Sequence, residues 1–135
     1  VKPAGRYLFE PDGAVIRAGL VQQAAVTLGL WQLDGRIAYL SGDSPVVSPL
    51  VQGFKIQEQL TLNLKTLRRR LHELGVGVLE IKKRGVALDP DAFRRGLKLK
   101  GVQSKTLIVT RIGDRPVAFL CQRTKTRDAR EASRV

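Results

Sequence analysis

Three runs of basic residues are where this chain could do chemistry, and the sharpest is Lys82-Lys83-Arg84 at the end of Val78-Leu79-Glu80-Ile81. A period-2 pattern puts Leu79 and Ile81 on one face of a strand and Glu80, Lys82 and Arg84 on the other. The strand is then half-buried, with a wet face whose cations could meet a phosphate backbone. The second run, Arg68-Arg69-Arg70, falls on a leucine-striped helix, and the third, Arg94, Arg95, Lys98 and Lys100, on and after a helix started by proline. If these three consecutive elements pack together, their cations make one electropositive patch; if not, they are an ordinary solvated face. The candidate contacts for an anionic partner are Lys82, Lys83, Arg84, Arg94, Arg95 and Lys98.

Residues that catalysis would need form no comparable constellation. Gly75-Val76-Gly77 superficially resembles a cofactor-binding glycine loop. A genuine one follows a strand and opens a helix, whereas this one closes a helix and opens a strand. His72, the single histidine, sits to the side of the leucine stripe with no partner visible in sequence, and reads as a surface residue rather than a base or metal ligand. Glu10 and Asp12 flank Pro11, close enough for acid/base or cation chemistry, although helix capping by Asp12 is the simpler role. Cys121 is the only cysteine, which excludes an intramolecular disulfide and a cysteine zinc site; its apolar surroundings make it a small core residue.

The basic excess is spread through the chain. Lys and Arg number 24 against 12 Asp and Glu, a formal charge of +12, and residues 123–135 account for only three of those charges. Such a balance favours an anionic partner such as nucleic acid. Aromatic residues are scarce and none interleaves with the basic runs, so stacking on unpaired bases along a sheet surface is not supported, and backbone and shape recognition of a folded RNA fits better. No apolar run approaches the ~20 residues of a membrane span, and the first residues lack a signal-peptide core, so no membrane partner and a cytoplasmic location are expected. Methionine is absent even at position 1, which reads as a fragment of a longer protein.

These candidate residues need elements to position them. The chain reads as one domain over residues 1–123 and a basic, disordered tail over residues 124–135. A short strand over residues 6–10 leads into Asp12, an N-cap for a long helix over residues 13–28 whose apolar residues wrap nearly the whole cylinder and predict burial on several sides. Strands follow at residues 37–40 and 51–60. Asn63 caps a helix striped by Leu64, Leu67, Leu71 and Leu74 that ends at Gly75, and Asp89-Pro90 starts another with Phe93 and Leu97 inward. Residues 105–112 and 115–122 flank Gly113-Asp114 as a hairpin, setting Ile108 opposite Phe119 and Leu107 opposite Leu120. Both hairpin faces are apolar, which predicts central strands. The fold class is α+β, a mixed sheet with a C-terminal antiparallel hairpin and about three helices.

Two long motifs also carry a family likeness. Tyr7-Leu8-Phe9-Glu10-Pro11-Asp12-Gly13-Ala14-Val15-Ile16-Arg17-Ala18-Gly19-Leu20-Val21, with Leu79-Glu80-Ile81-Lys82-Lys83-Arg84-Gly85-Val86 and Asp89-Pro90, resembles the THUMP-like domain at the C-terminus of class I S-adenosylmethionine-dependent methyltransferases. The resemblance runs from about Arg6 to Arg123. It implies that methyl transfer belongs to a preceding domain of the same polypeptide, that S-adenosylmethionine binds there, and that this stretch holds no cofactor. THUMP domains proper are RNA-binding modules of RNA-modifying enzymes, so the likeness implies capture of tRNA or rRNA. The reading that results is a noncatalytic accessory domain that presents structured RNA to a separate catalytic domain. The alternative is a structural module whose apolar first helix and basic face dock on that domain without touching RNA.

Overall fold

The structure is a computed structural model and describes residues 1–124, so the expected basic tail lies, from residue 125 on, outside the described residues. The chain packs as two compact units, Val1–Lys55 with Arg123 and Thr124, and Ile56–Gln122.

The first unit holds β1 (Tyr7–Pro11), α1 (Gly13–Arg17), α2 (Val21–Leu28), β2 (Trp31–Gln32), β3 (Leu40–Gly42) and the start of β4 (Val51–Thr61). Its strands run antiparallel in the order β2-β3-β1-β4, with Phe9 opposite Leu40 on one side and Gly53 on the other. Phe9, Ala25, Leu40 and Val51 make its core, and Tyr7, Val21, Leu28 and Leu30 pack around them. Asp12 caps α1 as expected, accepting from the Ala14 amide at 3.0 Å.

Two expectations fail in this unit. The single helix over residues 13–28 is broken into α1 and α2 at Gly19, whose φ of +70° belongs to the left-handed region that ends helices. Once the axis breaks, the pattern read around one cylinder no longer holds: only Val15, Ala24 and Ala25 of the two helices are buried, and Val26 is 83% exposed. The strand expected at residues 37–40 forms instead at Leu40–Gly42. Asp34 accepts from the Arg36 amide at 2.9 Å and Ile37 donates to the Asp34 carbonyl, a turn that occupies the chain just upstream. Pairing partners on β1 then decide where extension begins.

The second unit holds the rest of β4, α3 (Leu64–Glu73), β5 (Val76–Lys83), α4 (Pro90–Leu97), β6 (Gln103–Ile112) and β7 (Arg115–Arg123), with strand order β4-β7-β6-β5. Here the sequence reading holds closely. Asn63 caps α3 through Thr66, Gly75 ends it at φ +70°, and Asp89 caps α4 by accepting from the Asp91 and Ala92 amides. The hairpin sets Ile108 opposite Phe119 and Leu107 opposite Leu120, and all four are fully buried. β5 pairs parallel with β6, while β6 and β7 are antiparallel. The fold is therefore α+β with a mixed sheet; the helices number four among the described residues, the break at Gly19 supplying the extra one.

Leu67 and Leu71 of α3 and Leu97 of α4 lie over Leu79, Leu107, Val109, Ala118 and Leu120. Each fully buried leucine contributes on the order of 1.5–3 kcal/mol. No helix among the described residues is long and apolar enough to cross a membrane.

One close approach fixes β5 against β6. The register slips between Val76 and Val78, so Gly77 sits in a bulge, and a Cβ added there would overlap the Gly101 carbonyl oxygen. Gly77→Ala should therefore cost about 2–3 kcal/mol, read as a lowered urea midpoint with the slope unchanged.

Cys121 is buried as expected, and desolvation pushes its thiol up to about 12. A folded-state value above the unfolded one contributes stability that is whole below pH ~8.5 and is lost as pH rises toward 12. Relative to Cys121→Ala, the wild-type chain should lose up to about 1.4 kcal/mol per pH unit between pH 9 and 12 in urea unfolding.

Candidate nucleic-acid interface

β5 ends the strand order of its unit, and alternation sorts its side chains as the sequence suggested. Leu79 and Ile81 join the core beneath α3 and α4. Lys83 shares that face, and its Nζ donates to the Leu88 carbonyl in the loop before α4. On the opposite face Glu80 accepts from Thr106 Oγ1 at 3.2 Å, and Lys82 lies beside Ile108. Arg84 extends the ladder by one bond, its amide donating to the Val109 carbonyl while its own carbonyl accepts from Thr110 Oγ1 at 2.8 Å.

α4 brings the other three candidates. Arg94 turns back toward the edge strand: its Nε donates to the Leu79 carbonyl at 3.3 Å and its Nη1 to Asp91 Oδ1 at 3.2 Å. A donor placed there covers a carbonyl of an edge strand that other chains could pair with. Arg95 and Lys98 are exposed. Lys98 ends α4 in the left-handed region at φ +50°, uncommon for a residue with a side chain.

The C-terminal carbonyls of α4 are capped from outside the helix. Arg68 Nε donates to the Gly96 carbonyl at 2.8 Å, and His72 Nε2 lies 3.1 and 2.8 Å from the Leu97 and Lys98 carbonyls. Because carbonyls only accept, this contact requires the proton on Nε2. The histidine that sequence reading left without a partner thus joins α3 to α4. Its i,i+4 spacing from Arg68, with no glycine or asparagine to close α4, was the available signal.

The six predicted residues are accordingly only partly gathered. Lys83, Arg94, Arg95 and Lys98 lie with α4, and Lys82 and Arg84 lie on the other face of the same edge strand. The Arg68–Arg70 run offers fewer available cations than its count suggests. Arg68 caps α4, and Arg70 is bonded to both Glu58 carboxylate oxygens at 2.9 and 3.0 Å and to Glu73 at 3.3 Å, with Arg69 3.9 Å from Glu73. Hydrogen bonding to Glu58 raises the Arg70 pKa above its ordinary value. These pairs are solvent-exposed, so each adds little to stability.

Gly75-Val76-Gly77 does not fit S-adenosylmethionine. The Gly75 amide donates to the His72 carbonyl, the Gly75 carbonyl accepts from the Gln103 amide at 2.9 Å, and Gly101 fills the space beside Gly77. No three of His, Cys, Asp and Glu gather closely enough to hold a metal ion among the described residues.

Residues 51–123, which run from β4 through β7, match the family model for THUMP domain-like sequences. The chain belongs to this family. It is 47% identical over 126 residues to uncharacterized S-adenosylmethionine-dependent methyltransferases from two strains of Mycobacterium tuberculosis, covering 90% of this chain and 35% of each relative. The chain thus spans about a third of the length of these curated relatives. Its fold is also that of part of a crystal structure of a candidate methyltransferase from Porphyromonas gingivalis. That match has a TM-score of 0.77 at 21% identity and covers 93% of this chain and 31% of the other.

The external cap on α4 is structural, and its loss should show as lost stability. Arg68→Ala and His72→Ala should each cost about 1 kcal/mol, because the carbonyls they release lie near enough to the surface to find water. Urea unfolding of each variant measures this.

Proposed function

We propose that residues 1–123 act as the noncatalytic accessory domain of an RNA methyltransferase. The domain holds structured RNA, tRNA or rRNA, through Lys82, Lys83, Arg84, Arg94, Arg95 and Lys98. A separate domain of the same polypeptide, the one that binds S-adenosylmethionine, transfers the methyl group in the cytoplasm. The relatives named as methyltransferases, each about three times the length of the match, support the division of labour. The observation that carries the RNA reading is the border formed by β5 and α4, where cations flank the edge strand on both sides and Lys83, Arg95 and Lys98 are exposed. A phosphate backbone following that border meets both rows.

Binding of this kind releases counterions, so it must weaken with salt. With about four phosphates neutralised, affinity for tRNA should fall on the order of 50- to 150-fold between 50 and 200 mM salt. In fluorescence titrations of labelled tRNA, Lys82→Glu/Arg84→Glu should weaken binding and flatten that slope. Unchanged affinity with an unchanged slope rejects the patch and leaves the docking module, to which the exposed Leu20 and Val26 at α2 would belong.

A further inference from the structure

A cleft of about 290 Å³ opens in the second unit where α3 ends, lined by Gln57, Glu58, Leu74, Gln103 and Lys105. None of these residues belongs to the basic border. Lys105 is half-buried, and its Nζ has one partner among the described residues, the Gln122 Oε1 at 3.1 Å. An ammonium carries three donors, so two remain to be satisfied. Glu58 accepts one bond at each carboxylate oxygen from Arg70, which leaves a lone pair on each. Lys105 and Glu58 thus share a cleft without forming an ion pair with each other, and a polar group can stand between them. Gln57 and Gln103 are exposed, with side-chain amides that have no partner among the described residues, and Leu74 adds an apolar wall.

A ligand that fits must offer acceptors toward Lys105 and donors toward Glu58, on a body small enough for a volume at the lower bound of small-molecule sites, about 300 Å³. We propose that this cleft receives an unpaired guanine base. Guanine presents two acceptors, O6 and N7, to which lysine donates, while its ring N–H and exocyclic amino group are donors that a carboxylate accepts. On the edge that carries N7, adenine offers Lys105 one acceptor beside an amino donor where guanine offers two acceptors, and uracil has one donor for Glu58. The free amides of Gln57 and Gln103 supply both donors and acceptors to the remaining edge. This deepens the RNA reading and rests on it for the source of the base, although the cleft can be tested with a free nucleotide.

The probe is 5′-GMP, with AMP, CMP and UMP beside it, titrated into the ¹⁵N-labelled chain. The side-chain amide signals of Gln57 and Gln103 and the backbone signals around Lys105 are followed by NMR. GMP should shift these signals saturably at least several-fold more tightly than the other three. Lys105→Gln should weaken GMP about tenfold or more. Four nucleotides that bind alike, no saturable shift at millimolar concentration, or full GMP affinity in Lys105→Gln would each overturn the proposal. Loss of GMP binding beside intact salt-dependent tRNA binding condemns the cleft alone. GMP binding without any tRNA binding keeps the cleft and condemns the RNA border.

Discussion

The parallel pairing of β5 with β6 is the constraint on which the second unit depends. Parallel neighbours cannot be joined by a tight turn and need a crossover of a dozen or more residues. Here that crossover is residues 84–102, and α4 is its body. The helix is fixed along its C-terminal half as a result. Arg94 ties it to the Leu79 carbonyl, Arg68 and His72 close its C-terminal end, and the contact of Gly77 with Gly101 brings the returning chain against β5.

Net charge overstated what the surface offers. Of the basic residues in the three runs, Arg68, Arg70, Lys83 and Arg94 each donate to a carbonyl or carboxylate of their own unit. Donation to a neutral carbonyl leaves the positive charge in place but turns some of the donors inward, so fewer remain for a polyanion. Arg95 and Lys98, exposed at the end of α4, are better placed for direct contact. The proposed border therefore combines general attraction from many cations with direct contacts from few.

Much of the second unit was legible because its signals are local. Asn63 before the leucine stripe, Gly75 after it and Asp89-Pro90 each act within one turn of chain, and Gly113-Asp114 fixes its strands by a two-residue link. The hairpin register followed from that turn alone. The first unit was less legible for the complementary reason. Its helix pattern was continuous in apolar character, and nothing but Gly19 marked the break, while β3 is three residues long and takes its place from β1 rather than from its own composition.

By itself the sequence determined the fold class, the caps, the hairpin register, the buried Cys121 and the two faces of β5, because each depends on neighbours a few positions away. Only the tertiary structure decided that Lys82 and Arg84 stand across the strand from α4, that His72 and Arg68 close that helix, and that Lys105 and Glu58 line one cleft unpaired. The last two of those facts join residues about 25 to 50 positions apart. Their physical origin is the crossover between parallel strands, which folds distant segments into contact without leaving a periodic mark in the chain.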